Sequence, residues 1–138
     1  MRDASIYMLD TNTVSHAVKL HPVVAQRVVE TSMASLCVSA ITAGELWFGL
    51  AKRHEASRLG ALVIEFLRRV DVLPWDHSAA ERYGALRAEL ERAGRPLGSL
   101  DFLIAAHALT AGAVLVTSDR ALTRVSGLQV EDWTVPRA

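Results

Sequence analysis

The chain has 138 residues, of which 51% are hydrophobic and 22% are charged, a composition that suits one folded domain over residues 1–138 and excludes an intrinsically disordered protein. Its 15 basic and 15 acidic residues cancel, so no overall positive field attracts nucleic acid. A non-specific nucleic-acid binder is therefore disfavoured, and any such binding must use a local patch or a bound metal.

Short apolar or β-branched segments alternate with helical patterns along the chain. The predicted strands cover residues 6–9, 36–39, 70–73, 113–117 and 128–130. The predicted helices include one that begins near Pro22, those at 57–69 and 78–93, and one from about Ser99 to Gly112. Alternation of this kind predicts an α/β fold with a parallel sheet and helices on both faces.

The helix predicted at 78–93 has local signals at both ends. Ser78 and Glu81 fit a capping box at its start. Gly94 fits its C-terminal cap, and Pro96 lies just beyond it. We therefore expect this helix to be capped by Ser78 and to end at Gly94.

The single cysteine, Cys37, lies in an apolar segment, which is typical of a small buried side chain rather than of a nucleophile. No intrachain disulfide can form. The N-terminus lacks the pattern of a signal peptide, so the cytoplasm is the expected location. The longest apolar stretch, residues 33–51, contains Glu45 and several hydroxyl side chains, so no membrane span is predicted.

Four acidic residues lie at predicted strand ends or helix starts: Asp10, Glu45, Asp101 and Asp119. Asp10 follows the first strand and Asp119 follows the fourth, and open α/β sheets bind ligands at the carboxyl ends of their strands. Carboxylates gathered there repel one another unless a divalent cation joins them, and oxygen ligands favour Mg²⁺ or Mn²⁺. Such a site can activate a water and hold a phosphate, which points to phosphodiester hydrolysis.

Each of these acids also has a structural interpretation. Asp10 is a good helix N-cap, and Glu45 would complete a capping box with Thr42. Asp101 lies in the first turn of its helix, where the helix dipole favours a negative charge. Asp119 could cap a short turn. What favours the metal site is that all four belong to elements whose ends meet at one edge of the sheet.

The four acids lie in motifs at residues 8–12 (MLDTN), 42–49 (TAGELWFG), 98–108 (GSLDFLIAAHA) and 115–119 (LVTSD). In this order, over most of the chain, the motifs resemble those of PIN-domain ribonucleases and are especially similar to those of the VapC toxins of type II toxin–antitoxin systems. The resemblance implies a PIN-like α/β/α sandwich with a central, mainly parallel sheet of four to five strands flanked by helices.

The resemblance also implies an endoribonuclease that uses Mg²⁺, with Mn²⁺ able to substitute, and cuts transfer RNA or other structured RNA. It implies inhibition by a cognate VapB-type antitoxin and a homodimer. The residues that it places at the metal and in catalysis are Asp10, Glu45, Asp101 and Asp119. The polar residues that it expects to orient a water or ligand are Thr11, Thr117 and Ser118.

One part of the fourth motif departs from the family pattern. Many relatives have two asparagines and a longer turn where this chain has Ser118 and Asp119, and the turn here is a residue shorter. Either side chain could therefore face the metal, and Asp119 is favoured for its charge.

RNA binding by a neutral protein requires local cations. Arg87 and Arg95 lie near the Asp101 motif in sequence and are the expected RNA-binding residues. A solvated helix face is the alternative, since acidic residues are interleaved with the arginines of this segment. The aromatic residues Trp47, Phe48, Trp75 and Trp133 are expected in the core or at a dimer or antitoxin interface, and His107 as a packed residue.

Two other functions are open. A haloacid-dehalogenase-like phosphatase also has an aspartate after its first strand, but it needs a second one at the place of Asn12 and a later lysine, both missing here. A PIN-type module that has lost catalysis and serves as an RNA-binding or interaction scaffold would keep the same fold. The complete set of four acids argues against that loss.

Overall fold

The computed structural model describes residues 5–53 and 58–136. Its strands are β1 (Tyr7–Leu9), β2 (Leu36–Ser39), β3 (Asp71–Leu73), β4 (Val114–Val116) and β5 (Val130–Glu131). Its helices are α1 (Thr11–Val18), α2 (Pro22–Glu30), α3 (Ala40–Lys52), α4 (Arg58–Arg69), α5 (His77–Arg92) and α6 (Ser99–Ala111), with short 3₁₀ helices at Met33–Ser35 and Arg120–Arg124. The predicted alternation is confirmed, although Ser57, the predicted start of α4, lies outside the described residues.

The five strands form one sheet in the order β3-β2-β1-β4-β5, and every neighbouring pair is parallel. β1 therefore lies at the centre, between β2 and β4. Because parallel strands end at the same edge, the segments after β1, β2 and β4 emerge side by side. These segments begin at Asp10, Ala40 and Thr117, which brings three of the four predicted motifs together.

Helices cover both faces of the sheet, since successive strand residues point to opposite sides. Met8 and Leu115 pack in one core with residues of α5 and α6 such as Phe102. The neighbouring residues Leu9 and Val116 pack in a second core with side chains of α1 to α4. The predicted α/β/α sandwich is confirmed.

The two predicted capping boxes are wrong, while the predicted end of α5 is confirmed. α5 begins at His77 rather than at Ser78, because the Asp76 carboxylate accepts a hydrogen bond from the backbone N–H of Ala79 at 3.1 Å and caps the helix earlier. At its other end, Gly94 adopts a left-handed conformation with φ of 72°, and the N–H of Arg95 donates to the carbonyl of Leu90 at 2.8 Å.

The second failed capping box concerns the start of α3. The helix follows β2 directly, and Ser39 is its cap, with the hydroxyl accepting from the N–H of Ile41 at 3.1 Å. Thr42 is therefore already inside the helix. Glu45 lies a turn further on, so a capping box does not explain its position.

Several side chains have the predicted buried positions. Cys37 is buried, and burial together with the nearby charge of Asp71 raises the pKa of its thiol to about 11, so it is an unreactive core residue. His107 is also buried, and its Nδ1 lies 2.7 Å from the Ser39 hydroxyl. Trp133 is 1% exposed and fills the second core. Within the described part of the chain, no helix has the length and apolar character needed to cross a bilayer.

Candidate active site

An open cavity of about 200 Å³ lies at the carboxyl edge of the sheet. Three of the four predicted acids line it: Asp10, Glu45 and Asp101. The other lining residues are Thr11, Asn12, Ile41, Thr42, Leu100, Ile104 and Leu122. Acidic groups on a partly apolar wall lose hydration, so their charges interact more strongly here than at an ordinary surface.

Asp10 links the end of β1 to the start of α1. Its backbone N–H donates to the carbonyl of Val116 at 3.1 Å, which ties it to β4. Its Oδ1 accepts from the N–H of Thr13 at 2.8 Å and caps α1. The cap fixes the carboxylate and does not use Oδ2, so the capping role and a role at the cavity are compatible.

Asp101 lies in the first turn of α6, after the N-cap residue Gly98. The pKa of its carboxyl is raised from the usual 3.8 to about 6, chiefly by burial. A hydrogen bond with the Asp119 carboxyl and the charges of Asp119 and Asp10 raise it further. The three aspartates are therefore close enough to repel one another, as the sequence predicts.

Asp119 reaches Asp101 from the turn after β4. Its Oδ1 accepts from the N–H of Ala121 at 3.0 Å and caps the 3₁₀ helix. Its own N–H donates to the hydroxyl of Thr117 at 3.0 Å, and Thr117 is 2% exposed. Thr117 thus anchors the turn in the core, while Ser118 is exposed. Of the two side chains in this turn that could face a metal, Asp119 contacts Asp101.

Glu45 and Thr42 enter the cavity from α3. Glu45 is partly buried, one turn after Thr42 on the same helix. The Thr42 side chain is fully buried, and its hydroxyl oxygen has no hydrogen-bond partner among the described residues. A buried hydroxyl without a partner is costly, so this oxygen is suited to a bound water or ligand. The spacing of three from Glu45 is the sequence signal that could have identified Thr42 as part of the cavity.

The chemistry of this group of side chains fits a hard divalent cation. In residues 5–53 and 58–136, no group of three or more acidic, histidine or cysteine side chains is arranged to hold a metal ion by itself. Mg²⁺ nevertheless needs few protein ligands, because it usually retains several waters and binds one or two carboxylates. Part of the rise in the pKa of Asp101 comes from repulsion by neighbouring carboxylates, which a cation would remove, and the hydroxyl of Thr42 could hold a coordinated water. We conclude that the residues present fit Mg²⁺ or Mn²⁺.

The two arginines predicted to bind RNA lie outside the cavity lining. Arg87 on α5 donates from Nε to Glu91 at 2.8 Å and from Nη1 to the Tyr83 hydroxyl at 2.7 Å, and its guanidinium lies 5.7 Å from the ring centre of Phe102. Arg95 is exposed in the loop between α5 and α6. Their binding to RNA stays a prediction.

Comparison with known proteins identifies the family of this chain. The PIN domain family matches residues 7–128. The tRNA(fMet)-specific endonuclease VapC of Shigella flexneri is 39% identical over 129 residues, which cover 93% of this chain and 98% of that protein. Ribonuclease VapC of Haemophilus influenzae (strain 86-028NP) is 36% identical over 128 residues, covering 92% of this chain and 97% of that protein.

A solved structure, that of DNA-bound VapBC from Salmonella typhimurium, contains a chain with the same fold. It superposes with a TM-score of 0.85 at 38% identity, covering 94% of this chain and 98% of that one. The sequence motifs and the parallel sheet thus agree with both kinds of comparison, and the chain belongs to the PIN-domain family, in its VapC group of ribonuclease toxins.

Proposed function

We propose that this VapC-type ribonuclease is an endoribonuclease that depends on Mg²⁺, or Mn²⁺ in its place, and hydrolyses phosphodiester bonds in transfer RNA or another structured RNA. The observation that carries the proposal is the contact between Asp101 and Asp119 beside Asp10 at the edge of an open cavity, where burial and then the neighbouring carboxylates raise the pKa of Asp101. The proposal places the protein in the cytoplasm, where cellular RNA is found.

The residues that would hold the ion, directly or through water, are Asp10, Glu45, Asp101 and Asp119. When bound, the ion supplies Lewis acidity that lowers the pKa of a water and neutralises phosphate charge. With a pKa of about 6, Asp101 is mostly ionised at neutral pH, and a bound cation would lower this pKa because it would replace the repulsion from neighbouring carboxylates by attraction.

The protein's own contribution is positioning. The caps made by Asp10 and Asp119 hold each carboxylate through one oxygen, so little side-chain freedom is lost when the second oxygen binds a ligand. Thr42 offers a hydroxyl to a water beside these groups. The apolar side chains Ile41 and Ile104 limit the access of bulk water. Attack by water on the phosphorus then leaves a 5′-phosphate and a 3′-hydroxyl.

Metal dependence tests this proposal directly. The purified, antitoxin-free protein should cut total small RNA into discrete fragments when Mn²⁺ or Mg²⁺ is added, and excess EDTA should stop the reaction. Ligation that requires a 5′-phosphate should capture the downstream fragments. Cleavage that persists in EDTA, or the absence of both cleavage and RNA binding, would contradict the proposal. RNA binding without cleavage would favour the non-catalytic PIN module.

The proposal includes a cognate antitoxin, and α3 offers a surface for it. Trp47 and Phe48 are adjacent on this helix and are 50% and 58% exposed. Large aromatic side chains left in water are enriched at protein interfaces. The Salmonella typhimurium neighbour is a VapBC complex. We assign the Trp47–Phe48 surface to the antitoxin, and we also propose a homodimer.

Replacement of these two aromatic residues should weaken antitoxin binding and spare catalysis. Because a single buried aromatic anchor often contributes about 2 kcal/mol, we expect the Trp47→Ser/Phe48→Ser variant to bind the antitoxin at least about 30-fold more weakly. Titration calorimetry measures the affinity, and the cleavage rate of free protein should be unchanged. Val29→Ser, at an 83% exposed position on α2, is the control. Equal affinity for the parent and the double variant would show that the antitoxin binds elsewhere.

A further inference from the structure

A second groove adjoins the acidic cavity. The two share Thr11 and Glu45 in their linings, so they meet at these residues. The rest of the groove is formed by α1, α3 and α4 and the residues just after α1 and α3: Ser15, Val18, Lys19, Leu46, Gly49, Leu50, Arg53, Leu59, Gly60 and Val63. A substrate held at the acids therefore has a path that leads away from them over the protein surface.

Two rows of residues give the groove its direction. Thr11, Ser15 and Lys19 follow one another at intervals of four along α1 and its C-cap. Glu45, Gly49 and Arg53 have the same spacing along α3 and its C-cap. Residues at this spacing share a helix face, and eight residues of helix extend roughly 12 Å. The groove thus has the acids at one end and two cations at the other.

Neither cation is used elsewhere in the described structure. Lys19 and Arg53 are exposed, and the side chain of neither makes an ion pair or hydrogen bond with any residue in 5–53 or 58–136. By contrast, Arg27 is paired with Glu131 and Arg87 with Glu91. Cations at helix C-termini also complement the helix dipole, a purely structural role worth a few tenths of a kcal/mol to about 1 kcal/mol.

The middle of the groove is open. A Cβ atom added at Gly49 would have no heavy atom within 4 Å. Leu46 and Val63 are buried beneath the groove and Leu50 is partly buried. This floor can accommodate the apolar faces of ribose and base, while the cations at the far end match phosphate charge.

We propose that the substrate RNA runs from the acidic cavity along this groove and that Lys19 and Arg53 bind backbone phosphates a few nucleotides from the cleaved bond. The inference rests on the proposed ribonuclease function and adds the path of the substrate. Charge favours it, because a molecule with 15 acidic and 15 basic residues must hold a polyanion through local unpaired cations, and these two lie on a groove that shares Thr11 and Glu45 with the acidic cavity.

The test compares two pairs of substitutions that change the net charge equally. Lys19→Gln/Arg53→Gln removes the groove cations. Lys52→Gln/Arg92→Gln removes exposed cations outside the groove, one of them adjacent to Arg53 in sequence. The full chain, free of antitoxin and in EDTA, is titrated with total transfer RNA and with a labelled single-stranded RNA of mixed sequence across a range of salt concentrations.

We expect the groove pair to bind RNA about tenfold more weakly near physiological salt. The slope of log K against log salt should fall by about 1.4 to 1.8, because each phosphate contact contributes 0.7 to 0.9. With metal added, KM for RNA cleavage should rise while kcat stays within a factor of two. The control pair should change the slope by less than half as much. Thermal melts separate these effects from a loss of helix stability.

A second variant tests the path without changing charge. Gly49→Gln should obstruct the groove and weaken RNA binding, whereas Gly84→Gln on α5, where an added Cβ also meets nothing within 4 Å, should not. Equal weakening of RNA binding by the groove pair and the control pair would mean that the overall charge of the protein, and not the groove, holds the RNA. That result would overturn the proposal. Unchanged RNA binding with weakened antitoxin binding would assign the groove to the antitoxin instead. If the parent protein neither binds nor cleaves RNA, the proposed function itself fails.

Discussion

Asparagine in place of Asp101 is expected to abolish RNA cleavage and, at the same time, to stabilise the metal-free protein. The variant keeps the shape of the side chain but loses the charge that the proposed cation would need. The loss should be about 100-fold to 1,000-fold, the usual cost of removing one preorganised electrostatic group from an active site. A residue with only a structural role would not combine lower activity with higher stability.

The stability effect has a defined pH window. Burial, the hydrogen bond with Asp119 and the charges of Asp119 and Asp10 raise the pKa of Asp101 in the folded protein to about 6, against 3.8 ordinarily. The folded state therefore binds the proton more tightly than the unfolded state, and stability falls as the pH rises from about 4 to about 6. Asp101→Asn removes this loss of stability at higher pH. Because the carboxyl is only partly buried, we expect a gain of about 1 kcal/mol at pH 7 and none below pH 4.

Cleavage assays with Mn²⁺ and thermal melts in EDTA between pH 4 and pH 8 measure both effects. Asp71→Asn, at an exposed aspartate on β3, is the matched control and should leave the activity and the pH profile of the parent. Undiminished cleavage by Asp101→Asn would refute the assigned role. A strong loss of stability at pH 7 would show that the main role of Asp101 is to stabilise α6 through a favourable interaction with the helix dipole.

The alternation of strands and helices and the position of two of the acids follow from local sequence, because each short apolar strand ends at a residue with a distinct side chain. Asp10 and Asp119 are visible in this way, since parallel strands must bring their carboxyl ends together. Asp101 and Glu45 are helical, so their sequence positions at predicted helix starts indicate the site less directly, and the family resemblance supports their inclusion. The sheet topology with α3 directly after β2 is what brings Glu45 to the cavity.

The start of a helix is less well determined by sequence, as the two wrong capping boxes show. The pattern of a hydroxyl residue followed three positions later by glutamate occurs at Thr42 and at Ser78, and both lie inside helices. In each case an earlier residue, Ser39 or Asp76, caps the helix. A short polar side chain that lies earlier in the chain already accepts hydrogen bonds from the free N–H groups at the helix start. The later hydroxyl residue therefore has no capping role.

Long-range features lie beyond a sequence pattern. Arg87 is close to Asp101 along the chain, yet its guanidinium is held by Glu91 and Tyr83. Lys19 and Arg53 are far apart in sequence and become neighbours of one groove only because α1 and α3 pack side by side. The unpartnered hydroxyl of Thr42 is equally invisible until its surroundings are known.

Substitutions in the turn after β4 should have the second large effect. Asp119→Asn should lower the cleavage rate about 100-fold or more, whereas Ser118→Ala should lower it less than about threefold. Asparagine retains the oxygen that accepts from the N–H of Ala121, so the cap survives and only the charge is lost. The same change removes the carboxyl that is hydrogen bonded to Asp101. The pKa of Asp101 should therefore fall towards its ordinary value, which NMR titration of its carboxyl carbon in EDTA would detect.

The two readouts distinguish a charge at the metal from a structural role of the turn. If Asp119 only capped the 3₁₀ helix, Asp119→Asn would leave both the cleavage rate and the pKa of Asp101 near those of the parent. If the shorter turn instead presents Ser118 to the metal, Ser118→Ala would lose activity and leave that pKa unchanged. Because Thr117 anchors the turn through the N–H of Asp119 at 3.0 Å, we expect neither of these outcomes. Asp119→Asn should lower both the cleavage rate and the pKa of Asp101, since a backbone contact in the core fixes the position of an exposed carboxylate at the cavity edge.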